Sequence, residues 1–338
     1  MPYKLLNNFY IKLQYNHMSI SKDDNLEQRE PNTNKTFDFP SLPPELFNKY
    51  LWELWPGNNR FLFKGKFMLG PHCDNLHFYC TIAVLIVIPS GFFLLIANYL
   101  WENVSIVIPI LSGYTYVACI CFYFLTVFTE PGIIPRRNVF EALGGVPKEF
   151  TADVIFTEDG PLYKFCQTCE IYRPPRSHHC TKCNNCVELF DHHCPYLNNC
   201  IGARNYFYFF VFVTHLMMLG LIDISGFLAF LFYKPGDYDD TIINQTEVVL
   251  IITVILSLAL SILTILIGIL CIFHFSLCLT GETTKERIRG NKGSKKCMFW
   301  RNKKSRFNLR ALLSSEQAKH LSPNSIEIEM SKSDSSRE

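Results

Sequence analysis

Residues 166–200 read CQTCEIYRPPRSHHCTKCNNCVELFDHHCPYLNNC, and this stretch decides how the rest of the chain is interpreted. It holds seven of the 14 cysteines, together with four histidines. Two residues separate Cys166 from Cys169 and Cys180 from Cys183, which is the spacing of structural zinc ligands. The odd number of cysteines argues against full disulfide pairing. The stretch therefore predicts a loop that is folded around zinc.

Counting ligands indicates two structural Zn²⁺ ions and one spare thiol. A structural zinc takes four nitrogen or sulfur ligands, so six cysteines and two histidines hold two ions and leave one cysteine. Cys194 is the best candidate for the spare thiol because it stands beside Asp191 and His192. An imidazolium acidifies a thiol, and a carboxylate fixes the imidazole tautomer. Spacing alone leaves open that every cysteine is a ligand or filler, and whether His178 or His179 binds metal.

Four long segments around this stretch are almost free of charged residues. The composition, 49% hydrophobic and 18% charged, is shifted towards apolar residues. A bilayer core needs about 20 apolar helical residues, so each segment can span. Four buried helices of a soluble core fit less well, because such helices are usually shorter. We predict an all-α integral membrane protein with transmembrane helices at 78–101, 104–129, 206–233 and 248–279. Between the second and third helices we expect a cytosolic zinc-bound Cys-rich domain of short β-hairpins and loops.

The distribution of Lys and Arg predicts the orientation. Residues 1–77 carry 9 of them, 129–205 carry 8 and 280–338 carry 14, but 234–247 carry only 1. Positive charge marks the cytosolic side, so we place both termini and the Cys-rich domain, residues 130–205, in the cytosol. Region 1–77 is predicted to be largely disordered at its start, and region 280–338 to be basic and then disordered. We expect no internal repeat.

Two classes of function are disfavoured. A formal net charge of +2 and the lack of a basic recognition helix argue against a nucleic-acid-binding protein. A transporter would need several charges inside its spans, and only Asp223 is available. We expect Asp223 either to pair with His215 or to hydrogen-bond a neighbouring helix, unless it is protonated. A catalytically inactive zinc scaffold or adaptor anchored in the membrane is the remaining alternative to an enzyme.

From Cys166 to Phe209 the chain resembles the DHHC-type protein S-palmitoyltransferases. Cysteine spacing, Pro-Arg, Asp-His-His-Cys-Pro and Asn-Cys-Ile-Gly all fit this family together. Glu130-Pro131-Gly132 looks like its Asp-Pro-Gly, and Thr283-Thr284-Lys285-Glu286 looks like its Thr-Thr-x-Glu. Tyr196 departs from the usual Trp, so we expect an altered rate or chain preference. Residues 51–71 resemble the branch that includes the Ras palmitoyltransferases.

The resemblance implies a role for each residue of the cluster. Cys194 would be the nucleophile, His192 its base and Asp191 the residue that orients the base, with Thr284 in contact with the aspartate. One zinc would be held by Cys166, Cys169, His179 and Cys186, and the other by Cys180, Cys183, His193 and Cys200. For the donor, palmitoyl-CoA, we expect contacts from Arg173, Arg176, Tyr196 and Thr284, although the two arginines are equally consistent with ordinary loop solubility.

The implied activity is transfer of a palmitoyl group from palmitoyl-CoA to cysteine thiols of membrane-associated proteins, through a thioester on Cys194. The resemblance to the Ras branch extends the substrates to Ras-like GTPases and implies a small accessory subunit. It also implies a multi-pass protein of the Golgi or endoplasmic reticulum membrane. The lipid bilayer is then a partner, and nucleic acid is not.

Overall fold

The structure, a computed structural model, describes residues 52–53, 55–142, 156–157, 160–161, 163–233 and 243–290. Within these ranges four helices are long and apolar enough to cross a membrane. By length and composition they confirm the predicted fold class of four membrane helices with a Cys-rich region between the second and third. We call them the first to fourth spans: His72–Asn103, Val107–Phe128, Tyr206–Tyr233 and Val248–Thr280. The residues that we predict to be disordered, 1–45 and 311–338, lie outside the described ranges.

Within the described ranges, short strands precede the first span and form most of the region between the second and third spans. A 3-10 turn at His72–Asp74 precedes α1, and a π turn at Phe93–Ala97 follows it. The helices are α1 Asn75–Phe92, α2 Asn98–Asn103, α3 Val107–Phe128, α4 Arg137–Ala142, α5 Tyr206–Tyr233, α6 Ile243–Thr280 and α7 Thr284–Ile288. The strands are β1 Arg60–Leu62, β2 Phe67–Leu69, β3 Ile133–Ile134, β4 Phe156–Thr157, β5 Gly160–Pro161, β6 Lys164–Cys166, β7 Ile171–Arg173, β8 His178–Cys180, β9 Asn185–Val187, β10 His192–Cys194 and β11 Asn199–Ile201.

The third span packs between the second and the fourth. A Cβ added at Gly220 would collide with the Thr264 side chain, so the small residue permits the third and fourth spans to approach closely. Asp223 is buried, and its Oδ1 accepts a 2.6 Å hydrogen bond from Ser112 Oγ of the second span. Of the two partners that we expected for Asp223, the structure therefore shows the neighbouring helix and not His215. His215 instead bonds the Val211 carbonyl at 2.9 Å.

Three hairpins of the Cys-rich region repeat the same geometry, which corrects the expectation of no internal repeat. In the first hairpin (β6–β7), the second (β8–β9) and the third (β10–β11), Cys166 pairs with Ile171, Cys180 with Asn185, and Cys194 with Asn199. The period is 14 residues. Each turn contains a residue with positive φ at the same place, namely Glu170 at 54°, Asn184 at 53° and Asn198 at 46°. The repeat escapes notice in the sequence because Leu197 replaces a cysteine in the third copy.

Polar side chains fasten the third hairpin to the end of the second span. The last carbonyls of a helix have no partner within it and need donors from elsewhere. Asn199 Nδ2 donates to the carbonyls of Val127 and Thr129, each at 3.0 Å. Glu130 accepts from the backbone of Gly132 at 2.5 Å and from Arg204 Nη1 at 2.7 Å. These bonds hold the hairpin that carries Cys194 against the end of the second span.

Candidate functional site

The first predicted metal cluster lies between the first and second hairpins. The first hairpin supplies Cys166 and Cys169, and the second supplies His179 and Cys186. His179 Nδ1 lies 3.6, 3.4 and 3.7 Å from the sulfurs of Cys166, Cys169 and Cys186. The structure therefore brings together all four predicted ligands of this ion.

The second cluster repeats the first, one hairpin further along the chain. Cys180 and Cys183 come from the second hairpin, and His193 and Cys200 from the third. His193 Nδ1 lies 3.6, 3.3 and 3.5 Å from the sulfurs of Cys180, Cys183 and Cys200. The sulfurs of Cys200 and Cys183 lie 3.4 Å apart. The structure thus gathers the four predicted ligands of this ion as well.

Both clusters fit zinc. In each, the four donor atoms lie within 4.8 Å of one another. Tetrahedral zinc with sulfur and nitrogen ligands at its usual bond lengths would separate neighbouring donors by about 3.6 Å. The nitrogen–sulfur distances in the two clusters match that spacing, and all six cysteines are free and buried. His179, not His178, faces the first cluster, which closes the alternative that spacing left open.

The predicted catalytic residues form a connected group at the third hairpin. His192 Nδ1 lies 2.7 Å from Asp191 Oδ2, so the carboxylate faces the imidazole. Asp191 is buried and accepts two further bonds, 2.8 Å from Thr284 N and 2.7 Å from Thr284 Oγ1. Burial opposes a charged Asp191, but hydrogen bonds to His192 and the Thr284 backbone outweigh it and lower the pKa of the carboxyl. Thr284 thus makes the contact with the aspartate that the resemblance implies.

Cys194 stands where this polar group meets the apolar interior. It is 8% exposed and belongs to a buried cluster with Phe78, Tyr123 and Phe209 from the first three spans. Burial lowers the pKa of His192, but hydrogen bonds to Asp191 and Cys194 more than compensate and raise it to about 10. The thiol therefore faces His192 on one side and hydrocarbon side chains on the other.

The segment after the fourth span is locked onto the Cys-rich region. Thr283 and Glu286 form a capping box at the start of α7, which fixes the backbone of Thr284. Arg176 donates to both carboxylate oxygens of Glu286, at 2.5 and 2.6 Å, and to the Gly281 carbonyl at 2.8 Å. Such bidentate pairs fix direction as well as distance. The predicted donor contact of Arg176 thus competes with bonds made inside the protein.

The other residues predicted to contact the donor lie at the surface. Arg173 is half-buried and donates to the Lys164 carbonyl at 3.4 Å. Tyr196 is 59% exposed, with its ring edge-on to His77 at 5.9 Å. Lys285 lies over the Phe190 ring at 5.0 Å, and its pKa falls to about 8 because of burial and the charges of Arg289 and Arg173. A group of basic side chains therefore surrounds the start of α7.

Sequence reasoning missed two buried residues that reach the site. Asp74, at the start of the first span, accepts a 2.7 Å bond from His193 Nε2. His274 of the fourth span is buried, and a ring nitrogen lies within 4.8 Å of donor atoms of Asp191 and His192. Tyr206 Oη lies 3.2 Å from His274 Nδ1. In the sequence His274 is a single histidine within an apolar segment, and only its position beside the aspartate distinguishes it.

Comparison with known proteins agrees with this geometry. Residues 161–291 match the sequence model of the DHHC palmitoyltransferase family. This part of the chain belongs to that family. The DHHC domain thus covers the three hairpins, the last two spans and α7, which are the elements that build the site.

Curated relatives extend the likeness beyond the DHHC domain. Mouse palmitoyltransferase ZDHHC14 is 29% identical over 304 residues, which cover 85% of this chain and 59% of that protein. Human palmitoyltransferase ZDHHC18 is 32% identical over 258 residues, covering 72% of this chain and 65% of that protein. Zebrafish ZDHHC18-A is 31% identical over 260 residues, covering 72% and 54%. The chain therefore spans between half and two thirds of the length of these relatives.

Proposed function

We propose that this protein is a protein S-palmitoyltransferase that transfers a palmitoyl group from palmitoyl-CoA to cysteine thiols of membrane-associated proteins. One observation carries the proposal. Asp191, His192 and Cys194 form a connected group at the point where the Cys-rich region meets the apolar interior of the spans. The family match and the palmitoyltransferase relatives support the same chemistry.

The reaction would proceed in two thioester exchanges. The Cys194 thiolate attacks the carbonyl carbon of palmitoyl-CoA, the bond to the CoA sulfur breaks, and CoA takes the proton that His192 holds. In the second exchange His192 removes the proton of the substrate thiol, which attacks the acyl-enzyme and releases Cys194. Asp191 keeps the imidazole in the orientation that both proton transfers need. Each step replaces one thioester by another, so position matters more than driving force.

Two zinc ions would give rigidity rather than reactivity. Cys166, Cys169, His179 and Cys186 would hold one ion, and Cys180, Cys183, His193 and Cys200 the other. A structural zinc supplies folding free energy to a region too small to bury a core of its own. Since each cluster ties one hairpin to the next, the two ions would fix the third hairpin and its thiol in place.

The membrane accounts for the choice of acyl donor. Each buried methylene contributes about 0.8 kcal/mol, so a sixteen-carbon chain gains roughly 12 kcal/mol in an apolar site. The buried cluster behind Cys194 offers such surroundings. Arg173, together with Lys285 and Arg289 near it, would face the CoA phosphates. Tyr196 and Thr284 stay predicted donor contacts, and Arg176 would contribute by holding Glu286.

The finer assignments rest on the resemblance of residues 51–71 alone. We propose Ras-like GTPases among the substrates, a small accessory subunit, and a place in the Golgi or endoplasmic reticulum membrane. The excess of Lys and Arg supports a cytosolic position for both termini and for the Cys-rich region. Palmitoylation at that side would reach the proteins that lie on the cytosolic face of these membranes.

The test is formation of the acyl-enzyme. Detergent-purified protein is incubated with labelled palmitoyl-CoA, and hydroxylamine-sensitive label is measured in the wild type and in Cys194→Ser. We expect label in the wild type only, with zinc content equal in the two proteins. A wild type that stays unlabelled, even with the accessory subunit added, would contradict the enzyme and favour a zinc scaffold.

A further inference from the structure

Asp74 joins the first span to the second metal cluster. It occupies the 3-10 turn at the start of that span and is only 3% exposed. One carboxylate oxygen accepts a 2.7 Å bond from His193 Nε2, and the other a 2.9 Å bond from Lys182 Nζ. We infer that Asp74 is a positioning residue for the second zinc, acting through the histidine ligand and not as a ligand itself.

The two nitrogens of His193 have separate tasks. Nδ1 faces the three sulfurs of the second cluster at 3.3 to 3.6 Å, so it is the nitrogen that would bind metal. Nε2 must then carry the ring proton, and it lies within hydrogen-bond distance of Asp74. A carboxylate at this position fixes the tautomer and raises the basicity of the ligand nitrogen. Asp74 thereby orients the ring towards the metal.

The charges around the second cluster support this assignment. Three thiolates around a divalent ion leave one negative charge, and a nearby carboxylate adds another. Burying that charge without a partner would be costly. Lys182 supplies a compensating positive charge, because its ammonium is 2.9 Å from Asp74. Both oxygens of the Asp74 carboxylate therefore have a partner, Lys182 on one side and His193 on the other.

Within the described part of the chain, no carboxylate is found bonded to the histidine of the first cluster. There, His179 makes hydrogen-bond contacts through Nδ1 with its three cysteines, and no bond of its other nitrogen is found. The histidine ligands of the two clusters thus occupy the same hairpin position but differ in their support. Removal of the Asp74 carboxylate should weaken the second cluster selectively.

The consequence reaches the thiol that we propose as nucleophile. His193 lies between His192 and Cys194 on β10, so a ring that turns away from the metal disturbs that strand. Asp74 would thereby tie the start of the first span to the strand that carries the reaction. The inference rests on the proposed second zinc and does not require that acyl transfer itself be correct.

The experiment measures zinc release site by site. Purified wild type, Asp74→Asn and Asp74→Ala are challenged with a chromogenic chelator, and cysteines freed at each time are alkylated and identified by mass spectrometry. We expect Asp74→Ala to release the second zinc about 10- to 100-fold faster, exposing Cys180, Cys183 and Cys200. Release of the first zinc stays unchanged. Asp74→Asn, which retains an acceptor but no charge, should lie between alanine and wild type.

Asn75→Ala is the matched control at the same turn. Asn75 contacts Arg60 and Asn198 but no metal ligand, so zinc release from this variant should match the wild type. Equal release from Asp74→Ala and wild type would overturn the inference, as would equal acceleration at both clusters. If the wild type contains no zinc in the second cluster, the proposed zinc site itself fails. Two tightly bound ions with no effect of Asp74 refute only the inference.

Discussion

In the second hairpin Cys180 is paired across the strands with Asn185, and in the third hairpin Cys194 is paired with Asn199 at the same place. Cys183 follows Cys180 by three residues, whereas Leu197 follows Cys194 by three residues. The thiol of Cys180 therefore has a second sulfur beside it to share a metal ion, and the thiol of Cys194 does not. The comparison indicates that the proposed nucleophile occupies the position of a zinc ligand, in a hairpin that has a buried leucine where the second hairpin has its other cysteine.

The histidines two residues before these cysteines differ in the direction of their pKa shifts. His178 and His192 occupy equivalent positions, paired with Val187 and Ile201. The pKa of His178 falls to about 4, first through burial and then through the charges of Lys285, Arg173 and Arg289. Burial acts on His192 too, but hydrogen bonds to Asp191 and Cys194 raise its pKa to about 10. The surroundings, not the hairpin, decide which histidine can serve a thiol.

The largest expected difference is between serine substitutions at the equivalent cysteines of the second and third hairpins. Cys180→Ser should lose the second zinc and several kcal/mol of folding free energy, because the free energy of metal binding contributes to the stability of such a region. Cys194→Ser should retain both ions and melt as the wild type does, while it forms no acyl-enzyme. Zinc content and thermal unfolding of the two variants check this. A Cys194→Ser protein with one zinc would mean that Cys194 is a ligand.

Leu197→Cys would give the third hairpin the pair of cysteines that the second hairpin has. By analogy with Cys180 and Cys183, the new thiol would lie beside Cys194, so the pair offers a zinc ion two sulfur ligands and leaves its other positions to water. We therefore expect added Zn²⁺ to bind at this pair more weakly than at the two clusters, and acyl-enzyme formation to slow at least about 10-fold when it is present, because a metal-bound thiolate is a poor nucleophile. Zinc content and the rate of labelling are measured under reducing conditions, with Leu197→Ser as the control of equal size. Two ions and full activity in Leu197→Cys with Zn²⁺ added would show that the likeness between the hairpins is only one of shape.

Thr284→Val tests how the third hairpin is held without a metal. The hydroxyl bond to Asp191 is lost, while the backbone bond at 2.8 Å can persist. A hydrogen bond to a charged group is worth about 1.5 to 3 kcal/mol, so kcat should fall about 10- to 100-fold. A rise in KM for palmitoyl-CoA in the same variant would support the predicted donor contact of Thr284. Thr284→Ser retains the hydroxyl and should recover the rate. Equal losses in the valine and serine variants would point to packing instead.

The smallest effect concerns the basic group beside the second hairpin. Lys285 is charged below its pKa of about 8 and neutral above it, so a contact with CoA phosphates weakens as pH rises through that value. We expect KM for palmitoyl-CoA to rise about 3-fold between about pH 7 and pH 9, as for loss of one partly exposed charge pair. Lys285→Arg, which stays charged, should flatten this dependence. If KM depends on pH in Lys285→Arg as it does in the wild type, Lys285 does not contact the donor.

Local spacing sufficed for part of the site. The Cys-x-x-Cys pairs and the neighbouring Asp191, His192 and Cys194 are recognisable because ligands and partners on one hairpin lie close in the chain. The count of eight ligands and one spare thiol needed no coordinates. It could not choose between His178 and His179, because adjacent strand residues point to opposite faces and the sequence does not say which face holds the metal.

What the sequence by itself determined was therefore the chemistry available: four apolar segments long enough to span, and a cysteine-rich loop suited to zinc. Only the tertiary structure decided which distant groups serve it. Thr284 is 93 residues from Asp191, and Asp74 is 119 residues from His193, yet both pairs lie 2.7 Å apart. The physical reason is that spacing along the chain fixes contacts within a hairpin or a helix turn. A contact between a span and a hairpin depends on how the spans pack around the third hairpin.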